Sequence, residues 1–152
     1  MLKIQSTPIT EIERVGTFTG IQQRLSEACE WLRSQGIRVS DNRIGIYLKI
    51  ISELNNARDS NTLDDYHIHN GHAWINATFE SQELISICNS LRNCKDKSII
   101  ARLKLAAKGQ ELFASDEADS ASGRNIALEL STAGTFASTG HPIDFGGEAD
   151  VR

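Results

Sequence analysis

The spacing of apolar residues along the chain predicts a helical protein. Apolar positions recur every three or four residues in five stretches, the pattern of helices that bury one face. These stretches are 19–36, 40–57, 81–92, 96–108 and 123–138. A short helix over 8–16 is also predicted, because threonine and proline in Thr7-Pro8 suit the cap and first turn of a helix.

Two stretches predict how the helices are arranged. Residues 40–57 are apolar over more than half of the helix circumference, which is typical of a helix at the centre of a bundle. Residues 56–72 are polar and rich in turn formers with little periodicity, so they are predicted to be a long loop. Short connections elsewhere favour antiparallel neighbours.

The last twelve residues carry a different pattern. Residues 141–152 alternate in the manner of two short strands around Gly146-Gly147, which predicts a β-hairpin. A two-stranded hairpin is marginal in water when isolated. It therefore packs on the helices, pairs with another copy, or is completed by strands from further sequence, and we favour the third alternative.

The expected fold class is therefore mainly α: a bundle of five to six helices with a short C-terminal β-hairpin that begins a truncated α/β core. Residues 1–113 are assigned to the helical bundle, and the Ser/Asp/Ala-rich residues 114–123 to a linker. Residues 124–152 form the last helix and the hairpin, which either dock on the bundle or stand apart.

Composition narrows the classes of partner. The formal net charge of −4 and a pI near 5.5 give no overall attraction to nucleic acid or to anionic membranes. No apolar run reaches membrane-spanning length and the start lacks a signal-peptide pattern, so we expect a cytoplasmic protein that does not enter a membrane. Cys29, Cys88 and Cys94 match no metal or redox spacing and are expected to be reduced thiols.

Glu129 is the residue that most clearly indicates chemistry. At 100° per residue it lies within an apolar stripe of the last helix, formed by Ile126, Leu130, Ala133, Phe136 and Ala137. A buried carboxylate needs a cation, a metal or hydrogen-bond donors. It either pairs with Arg124 or another cation, or meets Asp150 of the hairpin in a site for Mg²⁺, which prefers carboxylate ligands.

Two segments resemble a known family. Gly-Arg-Asn-Ile-Ala-Leu-Glu-Leu (123–130) and Gly-His-Pro-Ile-Asp-Phe-Gly-Gly-Glu-Ala-Asp-Val-Arg (140–152) resemble the opening of the core of a PD-(D/E)XK, or restriction-endonuclease-like, nuclease. In that family a first helix carries a glutamate, the next strand a metal-binding aspartate, and a further strand Asp/Glu-x-Lys. The resemblance implies metal-binding and catalytic roles for Glu129 and Asp150. No Asp/Glu-x-Lys follows Asp150, so the chain alone is not expected to cut DNA.

Two other clusters are weaker candidates. His67, His69 and His72 have the density of a zinc site, although a solvated loop is the favoured interpretation. Lys97, Lys104 and Lys108 share one edge of a predicted helix and could contact phosphates, whereas a solvated helix face is the simpler alternative.

The sequence leaves two functions open. In the first, the chain is the helical front of a bacterial PD-(D/E)XK-like nuclease for DNA processing or defence, dependent on Mg²⁺ once its core is completed and acting on DNA. In the second, it is a non-enzymatic interaction module that forms a homodimer through the C-terminal hairpin.

Overall fold

A computed structural model describes residues 17–40, 42–94, 96–108, 122–143 and 145. Six helices occupy these residues: α1 (Phe18–Ser34), α2 (Arg43–Asp59), α3 (Leu63–Asn70), α4 (Ala73–Leu91), α5 (Lys97–Ala106) and α6 (Ser122–Ser138). The described residues contain no strand, and the mainly helical class is confirmed.

The predicted hairpin has no support in the structure. Its residues 141–143 and 145 form no strand, and the remainder of 141–152 lies outside the described residues. The helix predicted over 8–16 lies outside them too. Most of the predicted linker, up to residue 121, is likewise not described, so the proposed division into bundle, linker and C-terminal unit stays a prediction.

Side-chain caps begin three of the helices close to the predicted positions. Thr17 accepts a hydrogen bond from the Gly20 amide at the start of α1, and Asn42 accepts one from Ile44 at the start of α2. The Asp96 carboxylate caps α5, accepting from the Ser98 amide at 2.9 Å. These caps satisfy amides that have no partner within their own helix.

The central helix of the bundle is α4, so the prediction that residues 40–57 are central was wrong. Helix α4 packs against α1, α2, α3 and α6. Its buried residues are Ala77, Ser81, Ile85, Ile87, Cys88 and Leu91. Ser81, predicted to begin a helix, is fully buried in the middle of it. Small residues on a buried face let neighbouring helices approach closely, although they weaken the apolar pattern in the sequence.

The long loop predicted over 56–72 is also wrong. Helix α2 continues to Asp59, and α3 then spans Leu63–Asn70. No residue of α3 is fully buried, although Leu63 and Tyr66 pack partly against the core. The Tyr66 hydroxyl also donates to the Glu53 carboxylate at 3.2 Å, which ties α3 to α2. Helix α3 is polar and makes few contacts with the core. Its sequence therefore lacks the apolar stripe from which a helix is predicted.

Helix α6 docks on the bundle, which decides between the two alternatives left open for it. Ala127 and Leu130 belong to the same core as the buried residues of α1, α2, α4 and α5. A Cβ atom on Gly134 would lie 2.8 Å from Ser90 Cβ of α4, and one on Gly123 would collide with the carbonyl oxygen of Lys108. Glycines therefore set the close approach of α6 to its neighbours.

Because α6 packs through small residues, its buried face differs from the apolar stripe that the sequence predicted. The buried face consists of Gly123, Ala127, Leu130 and Gly134, whereas the predicted stripe member Phe136 is 55% exposed.

None of the described helices is both long and apolar enough to cross a membrane.

Candidate functional site

A buried arginine lies at the centre of the candidate site. Arg102 of α5 is only 6% exposed. Its Nε donates to Glu129 Oε1 of α6 at 3.2 Å, and its Nη2 donates to the carbonyl oxygen of Phe145 at 3.2 Å. Its guanidinium carbon also lies 4.4 Å from the centroid of the Phe145 ring, a cation–π contact. One guanidinium therefore joins α5, α6 and the segment that follows α6.

Glu129 has a cation as its partner in this cluster. The sequence offered Arg124 or another cation, and the partner is Arg102; Arg124 donates instead to Glu80 at 2.8 Å. The Glu129 side chain is 47% exposed, so it lies at the edge of the buried face and not within it. The proposed metal pairing of Glu129 with Asp150 stays a prediction, because Asp150 lies outside the described residues.

The outer face of α6 carries an apolar groove. Leu128 and Phe136 are 63% and 55% exposed, two large apolar side chains separated by eight residues. Beside them, the segment after α6 contributes Pro142, Ile143 and Phe145. We call this surface the α6 groove; it is lined by Asn125, Leu128, Glu129, Thr132, Ala133, Phe136, Pro142, Ile143 and Phe145.

Charge is scarce on this face. The exposed residues from the first to the last turn of α6 include Asn125, Leu128, Glu129, Thr132, Thr135 and Phe136, and Glu129 alone among these six is ionisable. Its charge is already countered by Arg102. Depletion of charge together with exposed aromatic side chains is the composition found at the centre of protein interfaces.

A second polar cluster lies between the helices. The Glu80 carboxylate of α4 pairs with Arg43 of α2 at 2.9 Å and with Arg124 of α6 at 2.8 Å. Arg43 also donates through Nε and Nη2 to the carbonyl oxygen of Ala106 at the end of α5. Burial raises the pKa of the neighbouring Tyr47 hydroxyl. With each charge paired, this cluster fits a structural role that joins four helices.

The histidines are distributed along and after α3. His67 and His69 are two positions apart on a helix and therefore lie on different sides of it. His67 stacks on Trp74 with 4.3 Å between the ring centroids, while His69 Nδ1 lies 2.6 Å from the carbonyl oxygen of Asp65. His72 follows in the turn before α4. Across the described part of the chain, no group of three or more His, Cys, Asp or Glu side chains could hold a metal ion.

The predicted basic patch is a set of exposed lysines. Lys97 and Lys104 are exposed on α5, and Lys108 is exposed just after its end. Arg102 lies in the same stretch but is buried, so it adds nothing to the basic surface. Contact of these lysines with nucleic acid stays a prediction.

Sequence reasoning missed Arg102, Phe145 and Leu128 as site residues. A signal for Arg102 was present: it lies on the same side of α5 as the buried Ile99 and Ala106, by the same spacing argument that singled out Glu129. Leu128 could have been identified as an apolar residue eight positions before Phe136. Both residues lie outside the face of small residues through which α6 packs on the core.

Comparison with known proteins finds no relative: no family model, no curated protein and no solved structure matches this chain. The class that the fold defines is a helical bundle with an apolar groove on α6. That groove and the Arg102 cluster are the features of the bundle that bear on its function.

Proposed function

We propose that this chain is a helical interaction module and that the α6 groove is its binding surface. The observation that carries the proposal is the exposure of Leu128 and Phe136 on a helix whose opposite face is already packed. Ala127 and Leu130 attach α6 to the core, so the fold does not need the two exposed side chains.

Burial of Leu128 and Phe136 against a partner would contribute free energy that the isolated chain does not gain. Complete burial of a leucine or phenylalanine side chain contributes about 1.5–3 kcal/mol. Pro142, Ile143 and Phe145 extend the apolar surface beside the helix, so the two side chains border one continuous groove. A contiguous apolar surface of this kind on a folded protein is typical of an interaction site.

The test is site-specific crosslinking in the cell. A photoreactive phenylalanine analogue at position 136 should give a discrete adduct, and Leu128→Glu in the same chain should abolish it. Phe79 is the matched control position, because it is a phenylalanine 72% exposed on α4 and outside the groove. The proposal fails if position 136 gives no adduct in the folded chain, or if position 79 gives the same adduct.

A second candidate, the front part of a PD-(D/E)XK-like nuclease, has one supporting observation. Arg102 binds both the Glu129 carboxylate and the Phe145 carbonyl, so the segment leading to Asp150 starts beside Glu129. Asp150 follows five residues later, within about 17 Å of extended chain. The resemblance would then make Glu129 and Asp150 ligands of Mg²⁺ in a cytoplasmic enzyme that acts on DNA.

The nuclease candidate has its own test. The reading frame beyond Arg152 should supply Asp/Glu-x-Lys, and the longest native form should cut DNA with Mg²⁺ or Mn²⁺. Glu129→Ala and Asp150→Ala should each abolish cutting, while Asp59→Ala, a surface carboxylate paired with Arg58 on α2, should not. Absence of cutting in the longest form rejects this candidate and leaves the interaction module untouched.

A further inference from the structure

We infer that the outer edge of α5 binds the phosphate backbone of a nucleic-acid duplex through Lys97, Lys104 and Lys108. This edge, which we call the lysine stripe, comprises these three lysines and Ala101. It is separate from the α6 groove, so the inference does not rest on the interaction function proposed above. Its support comes from the alignment of the lysines, the lack of acids beside them and the kinds of residue that the stripe lacks.

The lysines are aligned along one edge of α5. At 100° per residue, positions 97, 101, 104 and 108 fall within an arc of about 60°. All four residues are exposed, whereas Ile99, Leu103 and Ala106 are buried on the opposite side of the helix. Counted as helical rise, the first and last lysines are about 16 Å apart. Three ammonium groups therefore form one row on the surface.

No acidic side chain pairs with these lysines in the described part of the chain. The sequence between the first and last of them contains neither aspartate nor glutamate. The Asp96 carboxylate, which precedes the stripe, accepts from the Ser98 amide at 2.9 Å and from the Ser98 hydroxyl at 2.6 Å. Glu129 is paired with Arg102. The positive charge of the stripe is therefore available to an anionic partner.

The net charge of the chain opposes this contact only weakly. Although the formal net charge is −4, salt screens exposed charges over a Debye length of about 10 Å at 0.1 M ionic strength. Acids farther than this from a lysine therefore have little effect on it. A local row of cations binds phosphates even on a protein that is acidic overall.

The kinds of residue on α5 favour a duplex over other polyanions. Proteins hold single strands largely by stacking bases on aromatic side chains, and α5 contains no aromatic residue. Interfacial helices insert exposed apolar side chains into a membrane, and no large apolar residue of α5 is exposed. A duplex carries one charge per about 1.7 Å of its axis, so lysines on flexible stems reach phosphates in any register.

The same residues predict binding that is independent of sequence and sensitive to salt. Phosphate contacts carry no direct sequence information, and Ala101 has no group that could read a base edge. Each neutralised phosphate of a duplex contributes about −0.9 to the slope of log K against log salt concentration, so three lysines give about −2.7. Raising the salt concentration from about 50 to about 200 mM should therefore weaken binding about 40-fold.

Fluorescence anisotropy with a short labelled DNA duplex of arbitrary sequence, without Mg²⁺, measures this dependence. Lys104→Gln should reduce the slope to about −1.8, and the triple variant with Lys97→Gln and Lys108→Gln should abolish binding. Lys104→Arg keeps the charge and should bind as the wild type does. Lys49→Gln is the matched control, since Lys49 is a lysine of α2 whose side chain is 76% exposed. It should leave the slope unchanged.

The outcomes distinguish the lysine stripe from the other surfaces and partners. Equal binding by the wild type and the triple variant, both folded by circular dichroism, would overturn the inference. Binding to phosphatidylserine vesicles with no binding to the duplex would overturn it in favour of a membrane surface. Leu128→Glu should leave duplex binding unchanged, because the α6 groove is a different surface. Binding without cutting is sufficient here, so failure of the nuclease candidate does not affect the result.

Discussion

Burial divides the three cysteine thiols into two reactivity classes. Cys29 and Cys88 are fully buried, and burial raises their pKa to about 11 and about 12. Their thiols stay protonated near neutral pH, and the thiolate is the reactive form. Cys94 is only partly buried.

Thiol labelling should therefore stop at one equivalent in the folded chain. We expect Cys94 to react with a thiol reagent in native buffer and all three cysteines to react in denaturant, as measured by intact mass. Cys94→Ser should remove the native label entirely. Rapid labelling of Cys88 without denaturant would contradict this.

Glu83 is an acid whose ionised form is disfavoured by the fold. Burial first, and then the nearby Glu80 carboxylate, raise the pKa of Glu83 above its ordinary 4.5, although Arg43 and Arg124 oppose the shift. The folded state therefore holds this proton more tightly than the unfolded state does. The contribution of protonated Glu83 to the stability of the fold is fully present below pH 4.5 and is lost as the pH rises through the folded pKa.

Glu83→Gln should consequently stabilise the protein only where Glu83 is ionised. We expect a higher Tm than wild type near neutral pH and no difference well below pH 4.5, where both side chains are neutral. Thermal melts followed by circular dichroism at the two pH values provide the comparison. A lower Tm for the variant near neutral pH would mean that the arginines outweigh burial.

Individual side chains were predictable only in part. The sequence indicated that Glu129 needs a partner, and pairing with a cation was one of the two interpretations. The choice of Arg102 over Arg124 depends on which helix lies against α6, and a helical wheel contains no information about neighbours. Arg102 was not singled out, although its spacing with Ile99 and Ala106 placed it on the buried side of α5.

At the scale of elements, the contact between α4 and α6 depends on the absence of a side chain at residue 134. We expect Gly134→Ala to destabilise the protein by about 1–3 kcal/mol, because its methyl group would lie 2.8 Å from Ser90 Cβ. Ser90→Gly removes the opposing Cβ. The double variant should therefore be more stable than the sum of the single effects predicts.

Urea denaturation of the two single variants and the double variant measures this coupling. Ser90→Gly by itself should cost about 0.5–1 kcal/mol, the usual penalty for glycine within a helix. Strictly additive free energies of unfolding would show that the two residues are not in contact.

The elements that sequence could predict are those with one strong apolar stripe and a capping residue. Helices α1 and α5 fit this description, and their bounds agree with the prediction within a few residues. Helix α4 was predicted to begin at Ser81, eight residues after its start at Ala73, because a serine usually caps a helix, whereas here it lies buried where helices meet. Helix α3 was missed because its residues are mostly polar and only partly buried.

For the molecule as a whole, Glu80 is the carboxylate that holds three helices together. Glu80→Ala removes the carboxylate that pairs with both Arg43 and Arg124, and loss of one partner of a buried pair costs about 3–5 kcal/mol. Asp59→Ala is the control, since its pair with Arg58 is solvent-exposed and such pairs contribute at most about 1 kcal/mol. Free energies of unfolding in urea should separate the two variants clearly.

Helix α6 shares its core with residues far earlier in the chain, and this limits how the sequence can be divided. A fragment ending before residue 122 would uncover Leu91, which borders Gly134, and would leave Glu80 without Arg124. Such a fragment is expected to aggregate or to be digested quickly by proteases, whereas one that extends through Ser138 retains its covering helix. Expression trials should therefore cut after α6 and never ahead of it.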